Sequence, residues 1–474
     1  MRRLLPLLLA GILLSATSVS AQQLDPRVSE LPEAQTLFDQ ALSTFESGDY
    51  TNAAGQFSRV ASAYQLHTLT TAAALMEGRA LYRAGAYQRA IETFDTFRRV
   101  YQSSRYISEA QRTRKLASDA IQVTSNSPVT IGVILSLDDV EASASQSLFN
   151  GFRMAVDDHN ARREGRPVRM VFRDIGELGS EGAVASAVEA GAHTVFGALF
   201  SDQARAAAAE AERLEVVFVA PLATDEEVSR DRLMSFQANP TIEMRGRLMA
   251  RFAVNGLRLR DLGVVAEHDE HGISGVMGNA FADEARLLGA TVRFVQMLPD
   301  TRSWFSIGDH IPADSLRAVR GIYAPLSGSA ADQLAGALLD GLNGLLTASE
   351  QKRLRVLGNA EWHDLPMRAE ASRFGVTYSN DFYFDRTSDA AQPFTRRYRS
   401  MTGVSPGRLS IVGYDLGRYL ASTVESEDPL AVRARLLGAP AFEGLGVRLL
   451  FGGGQVNRQM YYHRYRDGRL ELMR

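Results

Sequence analysis

The chain contains no cysteine. That absence excludes disulfides, thiolate nucleophiles, cysteine-ligated zinc, iron–sulfur ligation and a lipid-anchoring cysteine. Lysine is nearly missing as well: Lys115 and Lys352 are the only two, and arginine supplies the rest of the 52 basic residues. An excess of one sign of charge is also lacking, since 55 acidic residues leave a formal net charge of −3. Such a balance provides no electrostatic footprint for nucleic acid, so none is expected as a partner. No stretch approaches the roughly 20 consecutive apolar residues that cross a bilayer. What is present is ordinary globular composition, 45% hydrophobic and 23% charged over 474 residues, enough for about three compact units.

The N-terminus carries a short targeting pattern. Arg2 and Arg3 precede an apolar run from Leu4 to Leu14, and Val19-Ser20-Ala21 supplies small residues for cleavage. This order reads as a secretory signal peptide over residues 1–21. The remainder is expected to be exported to the periplasm, with Gln22 standing where a lipoprotein carries cysteine.

Residues 24–125 contain a repeat. Gly48-Asp49-Tyr50 recurs as Gly85-Ala86-Tyr87, Phe57 as Phe94 and Tyr64 as Tyr101, each 37 residues on. Ala53, Ala54, Phe57, Val60 and Tyr64 share one helical face. The period is that of a helix–turn–helix unit. The run Gly85, Tyr87, Ala90, Ile91, Phe94, Phe97 and Tyr101, followed by Ser104, Tyr106 and Glu109-Ala110, resembles the tetratricopeptide units of bacterial envelope proteins. The glycine is expected to let the paired helices approach closely. Nine basic and three acidic residues from Arg79 to Lys115 contrast with one and six from Leu24 to Ser58. These are either two solvated faces of opposite sign or a protein-binding groove.

After Pro128 the texture changes. Val129 to Leu135 is a continuous apolar run, as a buried parallel strand requires. Helix, strand and helix then alternate through Val219, and the pattern restarts after Asn239-Pro240, with a helix expected over Ile242 to Asn255. Such alternation implies doubly wound sheets, with ligands at the carboxyl ends of strands. Two C-terminal strands are expected at about 445–451 and 459–466, with Gly452-Gly453-Gly454 as a turn between them.

Several motifs in order carry a resemblance: Ile131-Gly132-Val133-Ile134, Asn150-Gly151-Phe152 with Ala155-Val156-Asp157, Val195-Phe196-Gly197-Ala198, Ser201 and Val219-Ala220-Pro221-Leu222-Ala223-Thr224. With Leu262-Gly263-Val264-Val265 and Gly272-x-x-Gly275, they resemble the type I periplasmic binding proteins, especially the leucine/isoleucine/valine-binding branch. The resemblance implies an α/β domain at 129–474 made of two doubly wound parallel-sheet lobes. Lobe 1 would take about 129–239 and 386–438, and lobe 2 about 240–385 and 439–474. Three crossovers would form a hinge.

It also implies a ligand site. Ser201, Leu222 and Thr224 match positions that hold a ligand carboxylate through hydroxyls and backbone N–H groups; capping of backbone is the alternative role of both hydroxyls. Glu361 matches the carboxylate that meets a ligand ammonium, and His271 stands where relatives place an aromatic residue. Ala144 and Leu326 or Ser327 replace other cleft aromatics. The run Glu267-His268-Asp269-Glu270-His271 lacks a metal-site spacing, and no nucleophile with a companion base is visible. No metal, cofactor or catalytic residue is expected.

Two classes of function follow from the resemblance. One is an ABC-transporter solute-binding protein that passes a small polar, amino-acid-like metabolite to an inner-membrane transporter, its repeats recruiting an envelope partner. The other is a cell-envelope scaffold or regulator. The order of export signal, helical repeats and binding-protein domain is similar to the lipoprotein activators of penicillin-binding peptidoglycan synthases, from which the missing anchor cysteine departs.

Overall fold

The computed structural model describes residues 32–65, 67–138, 141–163, 165–268 and 272–473. The expected signal peptide lies outside them. The described residues divide into two compact units, one before and one after the boundary between Ser127 and Pro128.

Among the described residues the first unit has five helices: α1 (Pro32–Glu46), α2 (Tyr50–Ala63), α3 (Thr70–Arg83), α4 (Tyr87–Val100) and α5 (Ile107–Asn126). It is a helical repeat module, with α2 and α4 starting one period apart. Phe57, Phe94 and Phe97 fill its core, with small Ala53, Ala73 and Ala90 between them. Gly48 and Gly85 act differently from the expectation. Both have positive φ (+89° and +76°), and a Cβ at either would meet nothing within 4 Å. They end helices in a left-handed turn, whereas close approach occurs at Gly78, where a Cβ would lie 2.6 Å from the Phe94 ring.

The second unit begins with β1 (Val129–Leu135), α6 (Ala142–Arg162), β2 (Val168–Asp174), α7 (Ile175–Glu189), β3 (Thr194–Gly197), α8 (Ser201–Arg213), β4 (Val217–Ala220) and β5 (Ser235–Gln237). Its five strands form a parallel sheet in the order β2-β1-β3-β4-β5. Every residue of β1 is buried, which accounts for its unbroken apolar run.

The chain then builds a second lobe. It contains α9 (Ile242–Arg251), β6 (Asp261–Glu267), α10 (Ile273–Leu287), β7 (Thr291–Leu298), α11 (Ile307–His310), α12 (Ala313–Arg317), β8 (Gly321–Tyr323), α13 (Ala331–Leu345), α14 (Ala348–Arg353), β9 (Arg355–Gly358), α15 (Arg368–Arg373) and β10 (Thr377–Asn380). The helix expected to reach Asn255 leaves α geometry at Arg251 and widens into a π-turn over Phe252–Gly256. Phe252 stacks there on Tyr462 at 3.8 Å.

Next come α16 (Ala391–Thr402), α17 (Arg408–Thr423), α18 (Pro429–Gly438), β11 (Phe442–Glu443) and β12 (Arg448–Leu449). All but α16 pack with the first sheet, whose core Leu416, Leu420, Val432, Leu449 and Phe451 share, while Phe394 and Tyr398 of α16 pack on Met154 and Ile411. The chain therefore returns to the second lobe after Phe451, not at 439, because residues 442–451 form a short hairpin on first-lobe apolar surface. α17 crosses α6 in backbone contact. A Cβ on Gly413 would lie 2.1 Å from the Leu148 carbonyl oxygen, and one on Gly151 would lie 1.9 Å from that of Ser410.

Two last strands, β13 (Tyr461–Arg466) and β14 (Arg469–Met473), complete a seven-stranded sheet in the order β14-β13-β10-β9-β8-β6-β7. Both pair antiparallel, while the central strands are parallel. The unit is a two-lobed type I periplasmic-binding fold.

Candidate functional site

Three crossovers connect the lobes; the first and third bond to each other, and the second bonds to the turn between β11 and β12. The Asn457 N–H donates to the Gln237 carbonyl at 3.0 Å, and its Nδ2 donates to the Ala238 carbonyl at 2.9 Å. The Tyr383 N–H donates to the Gly446 carbonyl at 3.1 Å. At the centre, Asp381 has a side chain only 5% exposed and accepts from two arginines. Arg245 of α9 reaches it at 2.8 Å and also bonds Asn239 Oδ1 at 3.2 Å and the Pro240 carbonyl at 3.1 Å. Arg408, at the start of α17, reaches it at 2.9 Å. One carboxylate thus joins the first lobe, two crossovers and the second lobe. Sequence reasoning missed it, because isolated Asp and Arg residues at such separations carry no local pattern.

Ser201 and Thr224 do come together. Ser201 opens α8 directly after β3, and its Oγ accepts from the N–H groups of Thr224 (3.3 Å) and Asp225 (3.4 Å) beyond β4. It ties two strand-end loops, and its own O–H hydrogen remains to donate. Leu222 sits on the same loop; its carbonyl accepts from Asn239 Nδ2 at 3.0 Å. Asn239 in turn holds Arg245, so the Leu222 loop is wired to the hinge. Gln203, one turn into α8, donates to both oxygens of Glu141 at the head of α6 (3.1 and 3.0 Å).

Across the hinge, Glu361 lies in a short 3₁₀ turn after β9. Its carboxyl is open to solvent on one side. Burial of the other side raises its pKa above the ordinary carboxylate value, with Arg245 opposing. The turn is held rigidly. Asn359 pairs with both backbone groups of Leu326, at 3.0 and 2.9 Å, and Trp362 Nε1 donates to the Ala324 carbonyl at 2.8 Å. Leu326 is buried by this pairing, so its side chain contributes to core and not to a cleft wall.

His271 lies outside the described residues, as do Asp269 and Glu270. Glu267 has a structural role: it accepts from Trp304 Nε1 at 2.7 Å and from the Thr301 hydroxyl at 3.2 Å. Among the described residues, no three His, Asp or Glu side chains are grouped to hold a metal. Gly452 and Gly453 have positive φ and form a turn. Asp158 binds the Tyr414 hydroxyl at 3.0 Å and pairs with Arg397. No described helix is long and apolar enough to cross a membrane.

Comparison with solved structures gives the same architecture. A protein from Rhodospirillum rubrum described as a branched-chain amino acid ABC transporter superposes with a TM-score of 0.58 at 18% identity, covering 73% of this chain and 100% of that one. An ABC transporter substrate-binding protein from Desulfitobacterium hafniense superposes with a TM-score of 0.50 at 21% identity, with the same coverage. At these identities the likeness is one of fold. No curated protein matches the chain. The profile of the periplasmic binding protein family matches residues 128–469, well over half of the sequence, and the chain therefore belongs to that family.

Proposed function

We propose that this protein is an exported periplasmic solute-binding protein that holds a small, amino-acid-like ligand between its lobes and delivers it to an inner-membrane ABC transporter. The observation that carries this reading is the joining of the Ser201 and Thr224 loops beside a bonded hinge. Two parallel strands end there, and α8 starts there, so backbone N–H groups and a hydroxyl with a donatable hydrogen face a common point. Glu361 offers the opposite charge from the second lobe. A zwitterion bridging the two would be bound by both lobes and would stabilise the closed arrangement. The name of the Rhodospirillum rubrum neighbour supports an amino-acid-like ligand.

A calorimetric and thermal-shift screen of the exported chain against amino acids and short peptides tests this. A ligand at 100 times its dissociation constant stabilises by about 2.7 kcal/mol. Thr224→Ala and Glu361→Gln are each expected to weaken it tenfold or more. If no amino acid or peptide shifts the melting temperature, the reading fails.

The helical module favours a second role, recruitment of an envelope protein. Between α2, α3 and α4 lies a groove of about 430 Å³ whose lining includes Glu77, Arg89 and Phe97. Burial raises the Glu77 carboxyl above its ordinary pKa, with Ser58 and Arg89 opposing. Such a groove suits a protein segment. Capture of a peptidoglycan synthase by residues 24–125, together with an empty small-molecule screen, would favour the scaffold reading over transport.

A further inference from the structure

Beside the hinge lies a pocket whose lining includes none of Ser201, Leu222, Thr224 or Glu361. It encloses about 330 Å³ where the second crossover passes between the start of β13 and the turn before α17. Its wall includes His463, which is 2% exposed and has no hydrogen-bond partner on either ring nitrogen. Leaving a buried polar group unbonded is costly, and native structures rarely keep one without a ligand or water to complete it. Burial, helped by His363, pushes the His463 pKa down to about 4. The ring is therefore neutral near pH 7 and keeps one N–H donor and one bare nitrogen, both buried in the wall. Tyr378 stacks on it at 5.2 Å and 13°, and Tyr383 leans against it at 5.3 Å. Tyr378 is itself fixed by a 2.5 Å hydrogen bond between its hydroxyl and His363 Nδ1.

The pocket adjoins a second hollow of about 320 Å³, and Phe384, Arg386 and Pro406 line both. Arg396 and Arg399 add to the second wall. Arg386 and Arg396 have no hydrogen bond or ion pair among the described residues, and Arg399 bonds only the Ser405 hydroxyl, at 3.0 and 2.7 Å. Asp385, the neighbouring carboxylate, is committed to Thr387. Arg408 also lines the first pocket but is held by Asp381. Two features thus adjoin: a rigid aromatic wall with an unsatisfied neutral imidazole, and three guanidinium groups without countercharge. Guanidinium forks suit carboxylate and phosphate, and flat walls suit flat rings.

We propose that this is a second binding site, for a small ligand in which a planar, hydrogen-bonding ring carries a carboxylate or phosphate. The ring enters the 330 Å³ pocket and exchanges hydrogen bonds with His463. The anionic group rests on Arg386, Arg396 and Arg399. His463 belongs to the second lobe, Phe384 to the crossover and Pro406 to the first lobe, so an occupant couples to the angle between the lobes.

The test titrates the exported chain with p-hydroxybenzoate and adenosine 5′-monophosphate, with 4-hydroxybenzyl alcohol as an uncharged control. At least one anionic probe is expected to bind, and the alcohol at least tenfold more weakly than p-hydroxybenzoate if that is the probe bound. The Arg386→Ala/Arg396→Ala double variant removes only exposed groups and is expected to weaken binding tenfold or more with an unchanged melting temperature. His463→Phe keeps the ring volume and is expected to weaken it at least fivefold. Thr224→Ala, which weakens the strand-end site, is expected to leave the affinity for these probes within about twofold of the parent, which separates the two sites. No binding of either anion up to about 5 mM, equal affinity in the double variant, or a loss with Thr224→Ala as large as with the double variant would each overturn the proposal.

Discussion

The two lobes differ in the large side chains that they bury: phenylalanines such as Phe152, Phe196, Phe218 and Phe236 in the first, tryptophans and tyrosines in the second. In the first, surfaces meet because side chains are missing: Gly151, Gly413 and Gly417 bring α6 and α17 into backbone contact, and Ala204, Ala207, Ala208 and Ala211 seat α8 on its sheet. In the second, Gly246 brings α9 onto α10 in the same way, and large flat polar-tipped groups are added: Trp304, Trp362, Tyr323, Tyr378 and Tyr465 are fully buried. All five bring a polar atom, and all but the Tyr323 hydroxyl have a hydrogen-bond partner. Trp362 Nε1 uses the Ala324 carbonyl, and the Tyr465 hydroxyl uses that of Trp362 at 2.9 Å. Both lobes are therefore vulnerable to added volume, and the second also to lost or shifted hydrogen bonds.

Adding volume is expected to have the largest effect. Gly413→Leu would force α17 off α6, because even its Cβ would overlap the Leu148 carbonyl. Overpacking of a backbone contact is expected to cost more than about 4 kcal/mol, at the top of the range for single substitutions. Denaturant unfolding of the soluble variant measures this; a loss under about 1 kcal/mol would mean the helices separate easily. Next in size is the carboxylate that joins the lobes. Asp381→Ala leaves Arg245, whose side chain is 17% exposed, without its counterion, at an expected cost of about 3 kcal/mol. Exchange protection should fall in α9 and at the start of α17 together.

The response to pH should distinguish the lobes in sign. Burial raises Asp415 of α17 to about 6, although it accepts N–H groups from Leu445, Gly446 and Val447 at 2.7, 2.7 and 3.0 Å. The folded first lobe then holds that proton more tightly than the unfolded chain does. Its contribution is present at about pH 4 and is lost as pH rises through 6. His463 behaves oppositely, because its pKa is lowered to about 4. Its contribution is present above pH 6.5 and is lost as pH falls toward 4. Each slope amounts to about 2–3 kcal/mol. Asp415→Asn and His463→Phe should each flatten one slope in stability curves recorded between those limits; identical curves for both variants and the parent would refute the contrast. The smallest effect is expected at Ser201. Ser201→Ala removes an acceptor shared by two N–H groups and should cost about 1 kcal/mol of stability, while weakening ligand binding far more.

Elements were largely legible in the sequence, and their meetings were not. The apolar run of β1 and the 37-residue echo of Phe57 in Phe94 report burial through spacing, and spacing is local. Ser201, Leu222 and Thr224 were grouped by the resemblance alone, and the structure brings Ser201 within hydrogen-bonding distance of the Thr224 N–H. β10 and β14 were missed, since Thr377-Tyr378-Ser379-Asn380 alternates weakly and gains its strand character from neighbours on either side. The hairpin at β11 and β12 was assigned to the other lobe, because nothing in its residues states which core will bury Leu449. Gly48 and Gly85 were recognised, yet a helix-ending glycine and a contact glycine look alike until φ is known.

By itself, then, the sequence determined the repeat, the strand–helix alternation and the absence of thiol chemistry, since composition and periodicity are properties of the chain alone. Only the tertiary structure decided that Asp381 binds Arg245 and Arg408, that the Leu326 side chain leaves the cleft, and that His463 is buried beside unpaired arginines without a partner. Hydrogen bonding and desolvation act over a few ångströms of space, and the groups that they select here are separated by up to 136 residues of chain.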